Sequence, residues 1–313
     1  MDLFLAGYQA STTKRETFLI EEGGVTHRCI SYANIEKIPG LPFFVKGIYQ
    51  GYKVCVKKKV GIMMDSGVIS YKTYAEYVRR TGKKVDLPDR DKWVEGYAAF
   101  CRKYGHLWDF YVTVDFRTNC AENLEIHGRL EKLGIRPTPV YHGDDELDYL
   151  RRYKDKGYDF ICLGAIAQKK ITGRDTSQYL DAVFDAGEKW GIKFHGLAVT
   201  TAWMVLNYPW QSCDSSSWSR VAGYGCIIRF DERTGRMDTL RVSDRHVPAS
   251  QDRMSLRTNK SAWQRLQKEL EDEGYDFGLL QTDHTWRHLY NARTMQKLAA
   301  AAGTRQRGWR KLF

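Results

Sequence analysis

The stretch Val60–Gly67, VGIMMDSG, decides the interpretation of this sequence. Its first five residues carry no polar side chain, which is typical of a parallel strand buried on both faces. Asp65 then stands where the strand gives way to small residues. A carboxylate in such a place is costly to desolvate without partners. Cys213–Trp218, CDSSSW, repeats the arrangement, because Asp214 follows the aromatic stretch Tyr208–Trp210 and precedes three serines.

Short apolar runs like the first one recur along the whole chain. Helical patterns lie between several of them, and those over Glu122–Leu133, Asp145–Lys156 and Thr176–Trp190 each end just before a glycine, as a C-terminal cap requires. Strands that alternate with helices predict an α/β fold with a parallel sheet. The eight runs are Leu3–Ala6, Val60–Met64, Phe110–Val114, Pro137–Tyr141, Phe160–Leu163, Phe194–Val199, Trp210–Cys213 and Cys226–Phe230.

Eight candidate strands favour a (β/α)8 barrel, the TIM-barrel fold, over an open sheet. Polar or glycine residues follow or interrupt six of the runs near their C-terminal ends. In such barrels the active site is built at that face, from the ends of different strands. Any one of these residues has a plainer explanation as a loop residue or helix cap. The six are Asp65, Asp115, His142, Gly164, Gly196 and Asp214.

Two regions depart from the repeating pattern. Pro42–Val60 alternates apolar and polar residues around two glycines and predicts an antiparallel hairpin inserted at about 42–60. Residues 231–313 are polar and basic, with helices predicted over Ser261–Glu273 and about His284–Ala302. We therefore expect a catalytic barrel over 1–230 and a mainly helical extension over 231–313 that packs on it.

The charge of the chain points to a polyanionic partner. It has 49 lysines and arginines against 38 acids, a net charge of +11, although a generic basic surface would give the same balance. Basic residues with interleaved aromatics suit nucleic acid, and a solvated helix face with a frayed tail is the alternative. The candidate contacts are Lys57, Lys58, Lys59, Arg220, Arg287, Arg293, Arg305 and Arg307.

The seven cysteines are widely spaced, odd in number and free of any CxxC pair. This pattern favours reduced thiols in a cytosol-like compartment over a disulfide scaffold or a zinc cluster. The sequence begins without the basic and apolar regions of a signal peptide, and no apolar run is long enough to span a bilayer. We expect a cytoplasmic protein, in a bacterium or an infected host, that does not contact a membrane.

In the order of its strand-end motifs the chain resembles the tRNA-guanine transglycosylase (queuine tRNA-ribosyltransferase) superfamily. The resemblance covers roughly residues 60–220 and is nearest in style to the short phage and bacterial members that act on DNA, the DpdA-type 7-deazaguanine transglycosylases. It is carried by Met64–Gly67, Val114-Asp115, Val140–Gly143, Leu163–Ala167, His195–Leu197 and Asn207–Trp218.

The resemblance implies a role for each matching residue. Asp214 matches the nucleophile that attacks C1′ and expels guanine, and Asp65 matches the second catalytic aspartate, the general acid and base. Asp115 matches the aspartate that accepts hydrogen bonds from the guanine edge. Further base-pocket candidates are Ser66, Gly67, Gly164, Gly196, His142 and His195, where His195 either stacks on the base or is an ordinary core histidine.

The chain also departs from the tRNA-acting members of that superfamily. Many of them bind zinc through a CxCxxC motif beyond the nucleophile, whereas only Cys226 follows Asp214 here. We therefore expect no metal and no other cofactor. Because the zinc subdomain helps to hold tRNA, its absence favours DNA as the partner, with a 7-deazaguanine base such as preQ0 as the incoming group. The alternatives are a tRNA-modifying enzyme and a non-catalytic nucleic-acid-binding barrel.

Overall fold

A computed structural model describes residues 1–7, 13–38, 41–84, 87–116, 119–142, 146–164, 166, 176–243 and 259–305. Eight parallel strands of these residues form one sheet in which chain neighbours lie side by side. The strands are β1 (Asp2–Leu5), β2 (His27–Ser31), β3 (Gly61–Asp65), β4 (Phe110–Tyr111), β5 (Val140–Tyr141), β6 (Phe160–Leu163), β7 (Lys193–Gly196) and β8 (Ser212–Ser215).

The sheet closes into a barrel. β1 pairs with both β2 and β8, and the two edge strands, β4 and β5, meet through a parallel bridge between Val112 and Thr138. Phe4, Met63, Val112, Val140 and Cys162 point inward and fill the interior as one buried cluster. The predicted (β/α)8 barrel is thus confirmed, with a packed core rather than a pore.

Helices alternate with the strands and cover the outside of the barrel. Gly134, Gly157 and Gly191 adopt φ values of +81°, +84° and +64°, which confirms the predicted glycine caps. The helices are α1 (Thr13–Glu21), α2 (Tyr32–Ile35), α3 (Lys46–Lys58), α4 (Val68–Thr81), α5 (Arg90–Tyr104), α6 (Cys120–Lys132), α7 (Asp148–Asp155), α8 (Thr176–Trp190), α9 (Ala202–Asn207), α10 (Ser217–Gly223), α11 (Lys260–Asp272), α12 (Phe277–Thr282) and α13 (His284–Arg305).

The hairpin predicted at about 42–60 is wrong, because this segment contains the helix α3. Its buried residues Gly51, Tyr52, Val54 and Cys55 follow the 3.6-residue period of a helix. The two glycines that suggested turns lie inside that helix, where Gly51 is buried against the barrel. Glycine is tolerated inside a helix at a cost of about 1 kcal/mol, which tertiary packing here offsets.

One predicted barrel strand is also wrong. Cys226–Phe230 is a strand, β9 (Cys226–Asp231), but it pairs antiparallel with β10 (Arg236–Arg241) in a separate two-stranded sheet. The barrel strand that the prediction lacked is β2. Its sequence, HRCIS, does not read as an apolar run because Arg28 is buried in it. The Arg28 guanidinium is compensated there by Glu16 of α1, with Nε 2.7 Å from Oε1.

The last helix belongs to the barrel wall. α13 packs against β1, α1, α9 and α10, and its Met295, Leu298 and Ala302 share a buried core with Leu3 and Leu5. The predicted helices of the C-terminal part are confirmed, and α13 takes the place of the helix that would follow β8. No helix in the described ranges has both the length and the apolar character needed to cross a membrane.

Candidate active site

A cavity of about 370 Å³ opens at the C-terminal ends of the barrel strands. Its wall includes Asp65 at the end of β3, Asp115 after β4 and Asp214 in β8. The closed barrel thereby brings together three aspartates that the sequence separates widely. Ser31, Ser66, Leu197 and Ser216 also line this space, which we call the catalytic cavity.

Asp214 is held through one of its two carboxylate oxygens. Oδ1 accepts a hydrogen bond of 2.9 Å from the backbone N–H of Ala198 and lies 3.4 Å from Nε2 of His195. Both contacts end on Oδ1, and Oδ2 has no hydrogen bond to the described residues. The side chain is buried and yet reaches the cavity, so its orientation is fixed while one oxygen remains available to a ligand.

Ala198 supplies this hydrogen bond from a strained conformation. Its φ of +57° lies in the left-handed region, which costs a residue with a side chain roughly 1–2 kcal/mol. Strain of this kind persists where the surrounding structure requires it, and it is common at functional sites. The strained turn aims the N–H at Asp214. No signal in the sequence identifies Ala198, because a left-handed position is usually a glycine.

His195 lies beneath Asp214 inside the barrel and is fully buried. Its Nδ1 is 2.8 Å from Oγ of Ser212, and its ring meets those of Phe4 and Phe110 edge-on, with centroids 5.9 and 5.2 Å away. The ring therefore does not stack in the cavity. Of the two alternatives that the sequence left open, His195 matches the core histidine. It supports Asp214 from below, a contact that sequence spacing does not reveal.

Asp65 has a different environment from Asp214. Its Oδ2 accepts a 3.0 Å hydrogen bond from the backbone N–H of Gly67. The pKa of Asp65 is raised to about 6, first by burial and also by the nearby charge of Asp214, against the lowering effect of the Gly67 N–H and the Ser31 hydroxyl. A carboxyl with this pKa can give and take a proton near neutral pH.

Gly67 fixes the turn that presents Asp65. It adopts φ +76°, and a Cβ placed on it would lie 2.7 Å from Cβ of Ala33 and 3.0 Å from that residue's backbone nitrogen. Only glycine fits here without movement. Ser66 is buried beside it and lines the cavity, while its carbonyl accepts a hydrogen bond from Nε1 of Trp93.

Asp115 and His142 form a pair where β4 and β5 end, and β4 is the neighbour of the Asp65 strand β3. His142 Nε2 is hydrogen-bonded to Oδ2 of Asp115, and only the aspartate belongs to the cavity lining. A Cβ on Gly164 would lie 2.6 Å from the His142 ring, so this glycine makes room for the histidine. His142 thus orients Asp115.

Gly196, the other glycine expected in the base pocket, makes room for protein side chains. A Cβ there would lie 2.9 Å from Val199 and 3.1 Å from the Cys213 sulfur. Cys29 and Cys162 lie below the aspartates, and burial together with the charges of Asp214 and Asp65 raises the pKa of both thiols. They therefore remain protonated, and the negative charge of the site stays on its carboxylates.

The lining of the cavity is acidic. Asp65, Asp115, Asp214 and Glu16 face it, and Arg28 is the cation among the described lining residues. Arg28 is already committed, since it contacts Glu16 and also donates to the carbonyls of Leu5 and Gly7. Such a site favours positive charge on a ligand. Within the described ranges no group of three His, Cys, Asp or Glu side chains is placed to hold a metal ion.

The predicted nucleic-acid contacts are scattered over the barrel. Lys57, Lys58 and Lys59 end α3 just before β3 begins, about 13 Å of strand away from Asp65. They therefore lie at the opposite end of the barrel from the catalytic cavity. Arg220 is exposed on α10, which begins one residue after the cavity residue Ser216.

The arginines of α13 do not form the expected surface. Arg287 is buried, and its guanidinium donates to the carbonyls of Ala222, Leu280 and Gln281. It therefore joins α10, α12 and α13, and its assignment to nucleic acid is wrong. Arg293 donates to the carbonyl of Glu22. The Arg305 side chain and Arg307 lie outside the described residues.

No model of a known protein family matches the chain, and no curated protein matches it significantly. The class that fold and site define is an α/β barrel with an acidic cavity at the C-terminal ends of its strands.

Proposed function

We propose that the protein is a base-exchange transglycosylase that replaces guanine in DNA with a 7-deazaguanine such as preQ0. The observation that carries the proposal is that Asp214 and Asp65 line one cavity, the first held through a single oxygen and the second with a pKa of about 6. A nucleophile and a proton-transferring group beside one glycosidic bond are what a double displacement needs.

In the first step Oδ2 of Asp214 attacks C1′ of the target nucleotide. The C1′–N9 bond breaks, its electron pair leaves with guanine, and protonated Asp65 gives its proton to the departing base. The product is a glycosyl ester of Asp214. The positive charge that develops on the sugar is stabilised by the acidic lining of the cavity.

In the second step Asp65, now a carboxylate, removes the proton from N9 of the incoming base. That nitrogen attacks C1′ from the side that guanine left, and the bond between C1′ and Asp214 breaks. Asp214 is released as a carboxylate and Asp65 is protonated again. The proposed cycle therefore returns both side chains to their starting state and needs no ATP.

Asp115 supports the choice of guanine-like bases. A carboxylate accepts hydrogen bonds from the N1–H and the 2-amino group of guanine or a 7-deazaguanine. His142 holds this carboxylate in place from behind. A base that lacks these donors would not form these hydrogen bonds to the carboxylate, which disfavours its binding.

The direct test is exchange of labelled guanine into duplex DNA, single-stranded DNA and tRNA in parallel. We expect incorporation into DNA by the intact protein and none by Asp214→Ala. Asp159→Asn, a carboxylate at the other end of the barrel, is the matched control and should retain exchange. Incorporation into tRNA alone would replace the DNA assignment. Binding without any exchange would favour a non-catalytic barrel.

A further inference from the structure

A second groove, of about 1100 Å³, runs outward from the catalytic cavity. One wall is α4 and the other is formed by Asn34 and the segment from Pro42 to Ile48. Asn34, Ile48, Ile69 and Ser70 line both the groove and the cavity. The two spaces are therefore continuous, and a chain that enters the cavity can continue along what we call the α4 groove.

α4 contacts the body of the protein mainly through its first turn, where Tyr71 packs on Trp93 and Phe116. Val68, its first residue, is its only buried residue, while Ile69 is 69 % exposed. Arg79 and Arg80 near its end are exposed. A helix with one buried residue gains little from packing on its own domain, so its exposed face is available to a partner.

The groove carries aromatic rings as well as arginines. The Phe43 and Tyr74 rings meet edge to face at 5.4 Å, and the Tyr74 and Tyr77 rings are stacked at 5.9 Å. All three are only partly buried. Stacking of bases on aromatic side chains, beside arginines that neutralise phosphates, is how proteins hold single-stranded nucleic acid without reading its sequence.

The charge of this region is strongly one-sided. Residues 37–84 contain eleven lysines and arginines and two acids, Asp65 and Glu76. Asp65 belongs to the catalytic cavity, so Glu76 is the one acid of this segment outside that cavity. Lys57, Lys58 and Lys59 lie at the other end of the barrel, so the rest of the segment has a net charge of +6 beside a cavity that is itself acidic. The charged residues of the groove lining are Arg79, Arg80 and Glu76. A polyanion is thus drawn to the groove, whereas the cavity favours the neutral base and the sugar.

We propose that the α4 groove binds the single strand that flanks the reacting nucleotide. Arg79 and Arg80 neutralise its phosphates, and Tyr74 and Tyr77 stack on its bases. The identity of the strand as the enzyme's substrate rests on the proposed function. The binding surface itself rests on the groove, its rings and its charge. A reacting base must leave any duplex to reach the cavity, and the groove offers an unpaired strand a path beside it.

The test is the affinity of the full chain for a fluorescent single-stranded oligodeoxynucleotide, measured by anisotropy across a salt series. We expect Arg79→Gln/Arg80→Gln to weaken binding about tenfold or more at low salt and to reduce the slope of log K against log salt by about 1.4, the value for two phosphate contacts. Arg151→Gln/Arg152→Gln, an adjacent exposed pair on α7, is the matched control and should bind as the intact protein does.

A second pair of variants tests the aromatic contribution. Tyr74→Ala should weaken binding about tenfold, since one stacked base is lost, whereas Tyr74→Phe keeps the ring and should bind normally. Unchanged affinity in both Arg79→Gln/Arg80→Gln and Tyr74→Ala would overturn the groove assignment. It would also be overturned if polyglutamate displaced the fluorescent oligodeoxynucleotide as readily as unlabelled DNA does. Because binding needs no chemistry, loss of exchange with intact groove binding would refute the proposed function alone.

Discussion

Asp65 and Asp214 have the same side chain in opposite environments, and the difference divides their roles. Asp214 is anchored on Oδ1 by a backbone N–H and by His195, which keeps its other oxygen in place for the attack that we propose. Asp65 has a pKa raised by burial and by the charge of Asp214. Titratable groups whose environments differ in this way are a common sign of acid and base assignments in enzymes.

The raised pKa of Asp65 predicts a pH dependence of the first step. Asp65 is protonated below about pH 6, and in the proposed mechanism it must hold its proton to release guanine. In single-turnover experiments the rate of adduct formation should therefore fall about tenfold per pH unit above pH 6, until a slower unassisted rate is reached. Rapid quenching on denaturing gels measures this rate.

The Asp65→Asn variant identifies the group that titrates. Its amide keeps an oxygen for the Gly67 N–H but cannot transfer a proton, so the rate should be about 10²–10⁴-fold lower and independent of pH in this range. Asp115 and His142 also line or adjoin the site. If the rate of the asparagine variant fell with rising pH in the same way, the titrating group would not be Asp65.

The turn between β3 and α4 determines where Asp65 points, and its glycine can be tested. Gly67→Ala should destabilise the protein by the left-handed strain of about 1 kcal/mol plus about 1–3 kcal/mol for overpacking against Ala33. Exchange activity should fall with it, because Ala33 would push the turn and Asp65 away. Urea unfolding and the guanine exchange assay measure the two effects.

Gly82→Ala is the matched control for this turn. Gly82 ends α4 with φ +65°, and nothing lies within 4 Å of a Cβ placed there. The substitution should lower the free energy of unfolding by only about 1 kcal/mol, through conformational strain, and should leave exchange unchanged. Equal losses of stability in the two variants would contradict the claim that Ala33 restricts position 67.

Elements whose burial pattern is simple could be predicted from the sequence. The strand ending at Asp65 and the helix over Thr176–Trp190 follow from apolar runs and periodicity. β2 cannot be recognised from the sequence, because Arg28 interrupts its apolar pattern. The guanidinium of Arg28 is buried only because Glu16 of α1 pairs with it. α3 was misinterpreted because Gly47 and Gly51 suggest turns where tertiary contacts maintain a helix.

The residues of the candidate site also fall into those that the sequence predicts and those that it does not. Asp65, Asp115 and Asp214 could be predicted because a carboxylate at the end of an apolar strand is conspicuous. Ala198 and His195, which hold Asp214, could not be assigned these roles. One acts through its backbone and the other through a contact between neighbouring strands, and neither leaves a mark in local sequence.

At the scale of the whole molecule, the acidic catalytic cavity adjoins the α4 groove at one end of the barrel. The groove lining carries Arg79 and Arg80, with Glu76 as its one acid among the described residues. The basic C-terminal helix, α13, instead stabilises the fold. α13 buries its apolar face on β1, and its Arg287 and His288 are buried as well. Burial lowers the pKa of His288 to about 4, so this histidine is neutral at pH 7.

The central claim of the proposed function is that the barrel forms a covalent bond to a nucleotide at Asp214. The most direct measurement is mass spectrometry of the protein after incubation with a guanine-containing oligodeoxynucleotide and quenching in acid. We predict a protein–DNA adduct mapped to the peptide that holds Asp214, present in Asp159→Asn and absent in Asp214→Asn. No adduct in the intact protein, or one that persists in Asp214→Asn, would contradict the account.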